Sequence, residues 1–235
     1  STGSPKGVEI SHRGALTTIE DINRRFGVGP GDRVLGLTNL GFDLSVYDMF
    51  GPPAVGGCLV VPDHDQRSMP AHWAELIVQH RVTLWNSVPA HLQMMADFLA
   101  TAPTDVSSLR LALLSGDWIP VNLPERIRRF VPALELVSLG GATEGSIWSI
   151  IHPIGVVDAG RRSIPYGKPL ANQHMYVLDR RWRECPDGVP GEIFIGGAGV
   201  ALGYLGDPVR TAERFVVRPG TGERLYRTGD LGRYL

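Results

Sequence analysis

Hydrophobic and polar positions follow two textures along the chain. From residue 8 to about 150, short apolar runs alternate with amphipathic stretches. Arg33-Val34-Leu35-Gly36-Leu37, Gly57-Cys58-Leu59-Val60-Val61-Pro62 and Val82-Thr83-Leu84-Trp85 read as short buried strands, as do Leu109 to Leu114 and Leu134 to Leu139. Trp73 to His80 (with Pro70 near its start), Pro89 to about Leu99, and Pro124 to Phe130 have helical spacing. This β-α-β-α rhythm predicts an α/β fold with a mostly parallel sheet flanked by helices.

Beyond about residue 155 the helical periodicity stops. Alternating runs take over at Met175 to Leu178, Gly191 to Ile195 and Arg224 to Arg227, divided by turns such as Cys185-Pro186-Asp187-Gly188. A small β-barrel-like subdomain is expected there. The reading is therefore an α/β subdomain over 1–155 and a β-rich one over 156–235, with no internal repeat.

Composition narrows the picture little. With 43% hydrophobic and 20% charged residues in 235, the chain is an ordinary globular one. Its formal charge of -1 offers no basic field for nucleic acid. The 29 glycines and 18 prolines sit in scattered turns, which speaks for tight loops rather than disorder. Two distant cysteines, Cys58 and Cys185, make no disulfide framework, and a reducing, cytoplasmic setting is expected. Cys58 lies in an apolar run and is expected as a small core residue. No apolar stretch approaches the roughly 18 residues that span a bilayer.

The candidate chemistry lies in loops, where open α/β sheets bind ligands. Ser1-Thr2-Gly3-Ser4-Pro5-Lys6-Gly7 gathers hydroxyls, accessible backbone amides and one cation, a set suited to phosphate oxygens. It is not a Walker-type loop, and alone it reads equally as an ordinary turn. Gly140-Gly141-Ala142-Thr143-Glu144-Gly145 follows a strand; Thr143 can bond a phosphate and Glu144 is a hard donor for Mg²⁺, or the segment is a strand-to-helix turn with a capping Glu. Tyr226-Arg227-Thr228-Gly229-Asp230-Leu231 ends a strand with a carboxylate able to take two ribose hydroxyls, or with a turn Asp. Among the seven histidines, His12 follows the first loop and reads as structural, and the other six form no metal-ligand spacing.

Together with Phe42-Asp43-Leu44-Ser45 and the long segment from Gly191 to Leu205, these motifs resemble, in order and spacing, the adenylate-forming superfamily. More narrowly they resemble adenylation domains of nonribosomal peptide synthetases, and the resemblance covers essentially the whole chain. It implies the Rossmann-like core of that family's large N-terminal domain, with the N-terminal subdomain and the C-terminal lid outside these residues. It implies ATP and Mg²⁺ as cofactors: Ser1, Thr2, Gly3, Ser4, Lys6 and Gly7 on the pyrophosphate, Gly116, Gly140, Gly141 and Ala142 around adenine, Thr143 on phosphate, Glu144 on Mg²⁺ and Asp230 on ribose. The sequence departs from the family where an adenine-stacking aromatic is replaced by Gly140 and a proline by Ala142. Asp43 resembles the anchor of a substrate α-amino group, with a helix N-cap as the alternative, and Phe42 resembles a gate. The remaining pocket positions would be Leu44, Tyr47, Asn86, Leu113, Ser115, Leu139, Ile147 and Trp148, a small and lightly polar set. With Asp43 they resemble the signature of cysteine-activating domains; serine and threonine are near competitors, and an acyl- or aryl-CoA ligase is the rival class. Implied partners are a carrier protein bearing phosphopantetheine, an MbtH-like protein, and an inserted methyltransferase domain.

Overall fold

A computed structural model describes residues 6–158 and 160–235. In chain order the elements are β1 (Val8–Glu9), α1 (His12–Arg25), β2 (Arg33–Gly36), α2 (Leu44–Ala54), β3 (Cys58–Val60), α3 (Pro70–His80) and β4 (Leu84–Ser87). There follow α4 (Pro89–Thr101), β5 (Leu111–Leu114), α5 (Leu123–Arg128), β6 (Glu135–Gly140), a 3₁₀ turn (Thr143–Gly145) and β7 (Ile150–Ile154). The last stretch holds β8 (Lys168–Pro169), β9 (Gln173–Leu178), β10 (Gly191–Gly197), β11 (Gly203–Tyr204), α6 (Pro208–Arg214), β12 (Phe215–Val217) and β13 (Arg224–Gly232). These fall into two compact units, each assembled from separate stretches. One comprises 22–140 and 151–167; the other comprises the chain up to Asp21, then 141–150 and 168–235. Neither coincides with a single division at residue 155.

The first unit is the α/β one. Its parallel strands lie in the order β3-β2-β4-β5-β6, and β7 follows β6. The connections run outward in opposite directions from β2 and β4, so these neighbours form the switch point of a doubly wound sheet. Apolar strand runs are buried because helices cover the sheet: Leu84, Trp85, Leu111, Ala112, Leu113 and Leu114 are all 0% exposed. Trp73 of α3 meets Trp85 of β4 edge-on at 5.7 Å, and the indole of Trp85 donates to Ser87 Oγ at 2.7 Å. At the amino end of the sheet, Arg110 grips Asp32 with two bonds of 2.8 Å. Burial alone would raise the Asp32 pKa, but Arg110, Thr83 and the Gly29 amide outweigh it and hold it low.

Cys58 departs from expectation. It is exposed, because it opens β3, which is the edge strand and pairs only with β2. Cys185 is buried.

The second unit carries an antiparallel sheet in the order β12-β13-β10-β9, and a two-stranded pair of β1 with β11. The sheet is open among the described residues, so the expected barrel does not close. The alternating runs and turns specify antiparallel neighbours, and closure would also need β9 to pair with β12, which is only three residues long. Ile195, Ala201, Tyr204, Phe215 and Tyr226 form one of this unit's apolar clusters.

Candidate active site

In the second unit the glycine-rich segment after β10 acts as a spine. Its β11 pairs Val8 with Tyr204, and the amides of Leu205 and Leu202 donate to the carbonyls of Gly7 (2.9 Å) and Glu9 (2.7 Å). The Ala201 amide donates to the Glu144 carbonyl at 2.8 Å, which pins the 3₁₀ turn to the same segment. Lys6 and Glu144 therefore converge on Tyr204. The Tyr204 hydroxyl donates to Glu144 Oε1 at 2.5 Å, while Lys6 Nζ lies 3.4 Å from that oxygen and 4.6 Å from the Tyr204 ring centroid. The Glu144 side chain is 7% exposed and that of Lys6 40%, so a buried carboxylate is held beneath a half-exposed cation. Burial and the bond to Glu144 push the Tyr204 pKa up; burial, its bond to Tyr204 and the Glu144 charge do the same for Tyr226. Thr143 and Gly141 are exposed next to Glu144, and Ala142 is half-buried.

The sequence offers roles for Lys6 and Glu144 but none for Tyr204, which brings them together, or for Tyr226, which packs in the same cluster as Tyr204. The signal was present in the Gly203-Tyr204 pair, which closes the glycine-rich segment. Ser1, Thr2, Gly3 and Ser4, expected on the pyrophosphate, lie outside the described residues.

Glycine is required in this spine by close approach. A Cβ on Gly199 would lie 2.1 Å from Gln173 Nε2 and 2.5 Å from the Gly145 carbonyl oxygen, which is backbone and cannot swing away. Gly199→Ala is expected to destabilise the protein by about 1–3 kcal/mol. A urea midpoint equal to that of the unaltered protein would contradict this packing.

Asp230 lies on a bulge. Between the pairs Phe194↔Arg227 and Glu192↔Leu231, the residues Thr228, Gly229 and Asp230 stand opposite Ile193 alone. Gly229 takes the left-handed φ of 85°, and Asp230 beside it is exposed.

The α/β unit holds most of the predicted side-chain pocket. Gly36 and Asn86 are paired across the switch point, and Asn86 and Leu113 are paired on β4 and β5. Ser115 directly follows β5, Gly116 comes next, exposed with φ 85°, and Leu139 lies near the end of β6. Leu44 and Tyr47 enter from α2. The Tyr47 hydroxyl donates to Asn23 Oδ1 at 2.9 Å, which anchors the ring. Asp43 stands half-buried at the start of α2 and makes no side-chain bond to the amides of its first turn. The N-cap alternative is thus not taken up. Phe42 is 68% exposed.

Asp48, also missed in the sequence, is 2% exposed and accepts from Asn86 Nδ2 at 2.8 Å. Burial pushes its pKa from 3.8 up to about 8, with the Asn86 bond opposing. At pH 3 the carboxyl is protonated in the folded and unfolded chain alike. As pH rises from about 4 towards 8 the unfolded chain releases the proton and the folded one keeps it, so this group lowers stability across that window. Asp48→Asn is expected to flatten the loss, with a gain on the order of a few kcal/mol at pH 8. Parallel urea midpoints for variant and parent between pH 5 and pH 8 would contradict it.

Ile147 and Trp148 belong to the second unit. Ser146 and Ile147 both carry left-handed φ angles, 67° and 65°, which a β-branched residue adopts only under strain. Thr18 Oγ1 donates to the Ser146 carbonyl at 3.0 Å and helps hold the segment. Strain of about 1–3 kcal/mol per residue, retained in a buried segment, is typical of functional sites. In the α/β unit a Cβ on Gly140 would sit 2.2 Å from Cε2 of Tyr166, a residue 47% exposed. The missing aromatic at position 140 is thus matched by one from residue 166 packed on the glycine.

A family profile described as "AMP-binding enzyme" matches residues 1–205. The chain belongs to the AMP-binding enzyme family. It is 58% identical over 236 residues to pyochelin synthetase PchF of Pseudomonas aeruginosa (strain PAO1), covering all of this chain and 13% of that protein. It is 50% identical over 232 residues to bacitracin synthase 1 of Bacillus licheniformis, covering 99% of this chain and 4% of that protein. The crystal structure of the nonribosomal peptide synthetase FmoA3 (S1046A) in its alpha-methyl-L-serine-AMP bound form superposes with a TM-score of 0.96 at 51% identity, covering 100% of this chain and 27% of that one. The chain thus spans a minor part of each. No helix among the described residues is long and apolar enough to cross a membrane.

Proposed function

We propose that this chain is the ATP- and amino-acid-binding core of a nonribosomal peptide synthetase adenylation domain, and that its substrate is L-cysteine. One observation supports an amino acid above all. Asp43 is a half-buried carboxylate at the mouth of α2, beside the switch point, and does not cap its own helix. A carboxylate so placed suits a substrate ammonium and disfavours the fatty or aryl acids of a CoA ligase. Leu44, Tyr47, Asn86, Leu113, Ser115 and Leu139 would line the side-chain pocket in the α/β unit, and none of them carries a second charge.

The substrate carboxylate attacks the α-phosphorus of ATP; the new C(O)O–P bond forms as the bond to pyrophosphate breaks. Both partners are anionic, so the protein's task is alignment and charge neutralisation. Lys6 and Thr143 would hold phosphate oxygens, and Asp230 would hold the ribose. Among the described residues no three His, Cys, Asp or Glu side chains cluster, and Glu144 is the carboxylate offered. That donor set fits Mg²⁺, which keeps water and phosphate in most of its positions. When bound, the ion would neutralise phosphate charge. The aminoacyl-AMP would pass to the phosphopantetheine thiol of a carrier protein.

Serine is the second reading, favoured by the relative solved with alpha-methyl-L-serine-AMP. Calorimetric titration of the intact protein with nonhydrolysable cysteinyl-AMP and seryl-AMP analogues tests both. Tighter binding of the cysteinyl analogue is expected; preference for the seryl analogue would move the assignment to serine, and heat from neither would end the adenylation reading.

A further inference from the structure

Asn86 is held so that its side-chain amide cannot turn. Its Nδ2 donates to the Leu44 carbonyl at 3.1 Å and to Asp48 Oδ1 at 2.8 Å. A primary amide has two donor hydrogens, so both are engaged and Oδ1 is fixed as the acceptor end. That oxygen is buried and has no hydrogen-bond partner among the described residues. Leaving a buried acceptor unmade is unfavourable, so a ligand donor reaching it gains more than it would in water. Asn86 lies at the carboxyl end of β4 on the switch point, and Leu44 and Asp48 come from the one helix that follows Asp43. The Tyr47 hydroxyl is directed to Asn23 instead.

We infer that Asp48 is a positioning residue for substrate selection: it locks the Asn86 amide so that Oδ1 receives the S–H or O–H of the substrate side chain. This rests on the amino-acid reading of the pocket. Without Asp48 the Leu44 carbonyl alone would hold the amide, and the amide could turn its NH₂ group towards the substrate, where it offers nothing to a thiol hydrogen. Burial favours the neutral carboxyl at Asp48, which keeps a full negative charge away from the selecting group. Its Oδ2, also without a hydrogen-bond partner among the described residues, does not compete for the Nδ2 hydrogens.

The test is amino-acid-dependent ATP–pyrophosphate exchange by the intact protein, comparing the better of cysteine and serine with 2-aminobutyrate, which carries a methyl group in place of the donor. The quantity read is the ratio of kcat/KM values, which does not depend on how much of a variant folds. The unaltered protein should prefer the donor-bearing substrate by about 100-fold. Asp48→Leu should shrink that ratio about tenfold with the KM for ATP unchanged, and Asp48→Ala repeats the test should leucine not fit. Asp48→Asn, which can still accept from Asn86 Nδ2, should keep the ratio within about twofold. An unchanged ratio in the leucine or alanine variant would overturn the role of Asp48 and leave the amino-acid reading intact. Exchange with neither cysteine nor serine in the unaltered protein would overturn both.

Discussion

Replacing Asp43 with alanine is expected to lower amino-acid-dependent exchange by about 10²- to 10³-fold, the loss for removing one partner of a desolvated charge pair at about 2–5 kcal/mol. The effect should fall on the amino acid and spare ATP. Asp43 stands ahead of α2 and its side chain makes no capping bond, so the expected loss is not one of helix capping. Asp43→Asn separates charge from shape: the amide fills the same space but cannot neutralise an ammonium, and should lose nearly as much. A variant that raised the KM for ATP and left that for the amino acid unchanged would show that Asp43 serves the nucleotide instead.

Glu144→Gln should have the other large effect, a fall of about 10²- to 10³-fold in exchange, the range for removing one preorganised electrostatic group. The amide can still accept from the Tyr204 hydroxyl, so the 2.5 Å contact and the packing of the 3₁₀ turn should survive. What disappears is the negative charge facing Lys6 at 3.4 Å. The Mg²⁺ concentration for half-maximal activity should rise, and the amino acid KM should hardly move. Equal Mg²⁺ dependence in variant and parent would reduce Glu144 to a structural partner of Tyr204 and Lys6.

The elements that position these groups were largely legible in the sequence. The runs at Leu111–Leu114 and Glu135–Gly140 are apolar enough to belong only in a covered sheet, and the pattern between them is helical. Less legible was whatever depends on pairing between distant residues. Asp48 looks like one polar position in a helix, and only its contact with Asn86, 38 residues away, gives it meaning. Tyr204 resembled one more residue of a glycine-rich segment until the Val8 register placed Lys6 beside it. Gly140 read as a deficiency because Tyr166 reaches it from outside the motif. The exposure of Cys58 is not legible because hydrophobic runs do not say which strand lies at an edge, and the open sheet is not, because turn spacing specifies neighbours without specifying closure.

Function followed the same division. Residue types at loop positions suggested phosphate, ribose and ammonium partners, and the strained Ser146–Ile147 backbone adds a physical mark that no composition could carry. Choice among small polar amino acids rests on single atoms, such as Asn86 Oδ1, whose orientation is decided by neighbours.

The central claim is that the intact protein activates cysteine through this core, and ATP–pyrophosphate exchange across a panel of the standard amino acids, benzoate-like acids and fatty acids tests it most directly. Exchange dependent on L-cysteine above all others, with serine next, is the predicted result. Exchange driven by an aryl or fatty acid, or by an amino acid with a charged side chain, would contradict it.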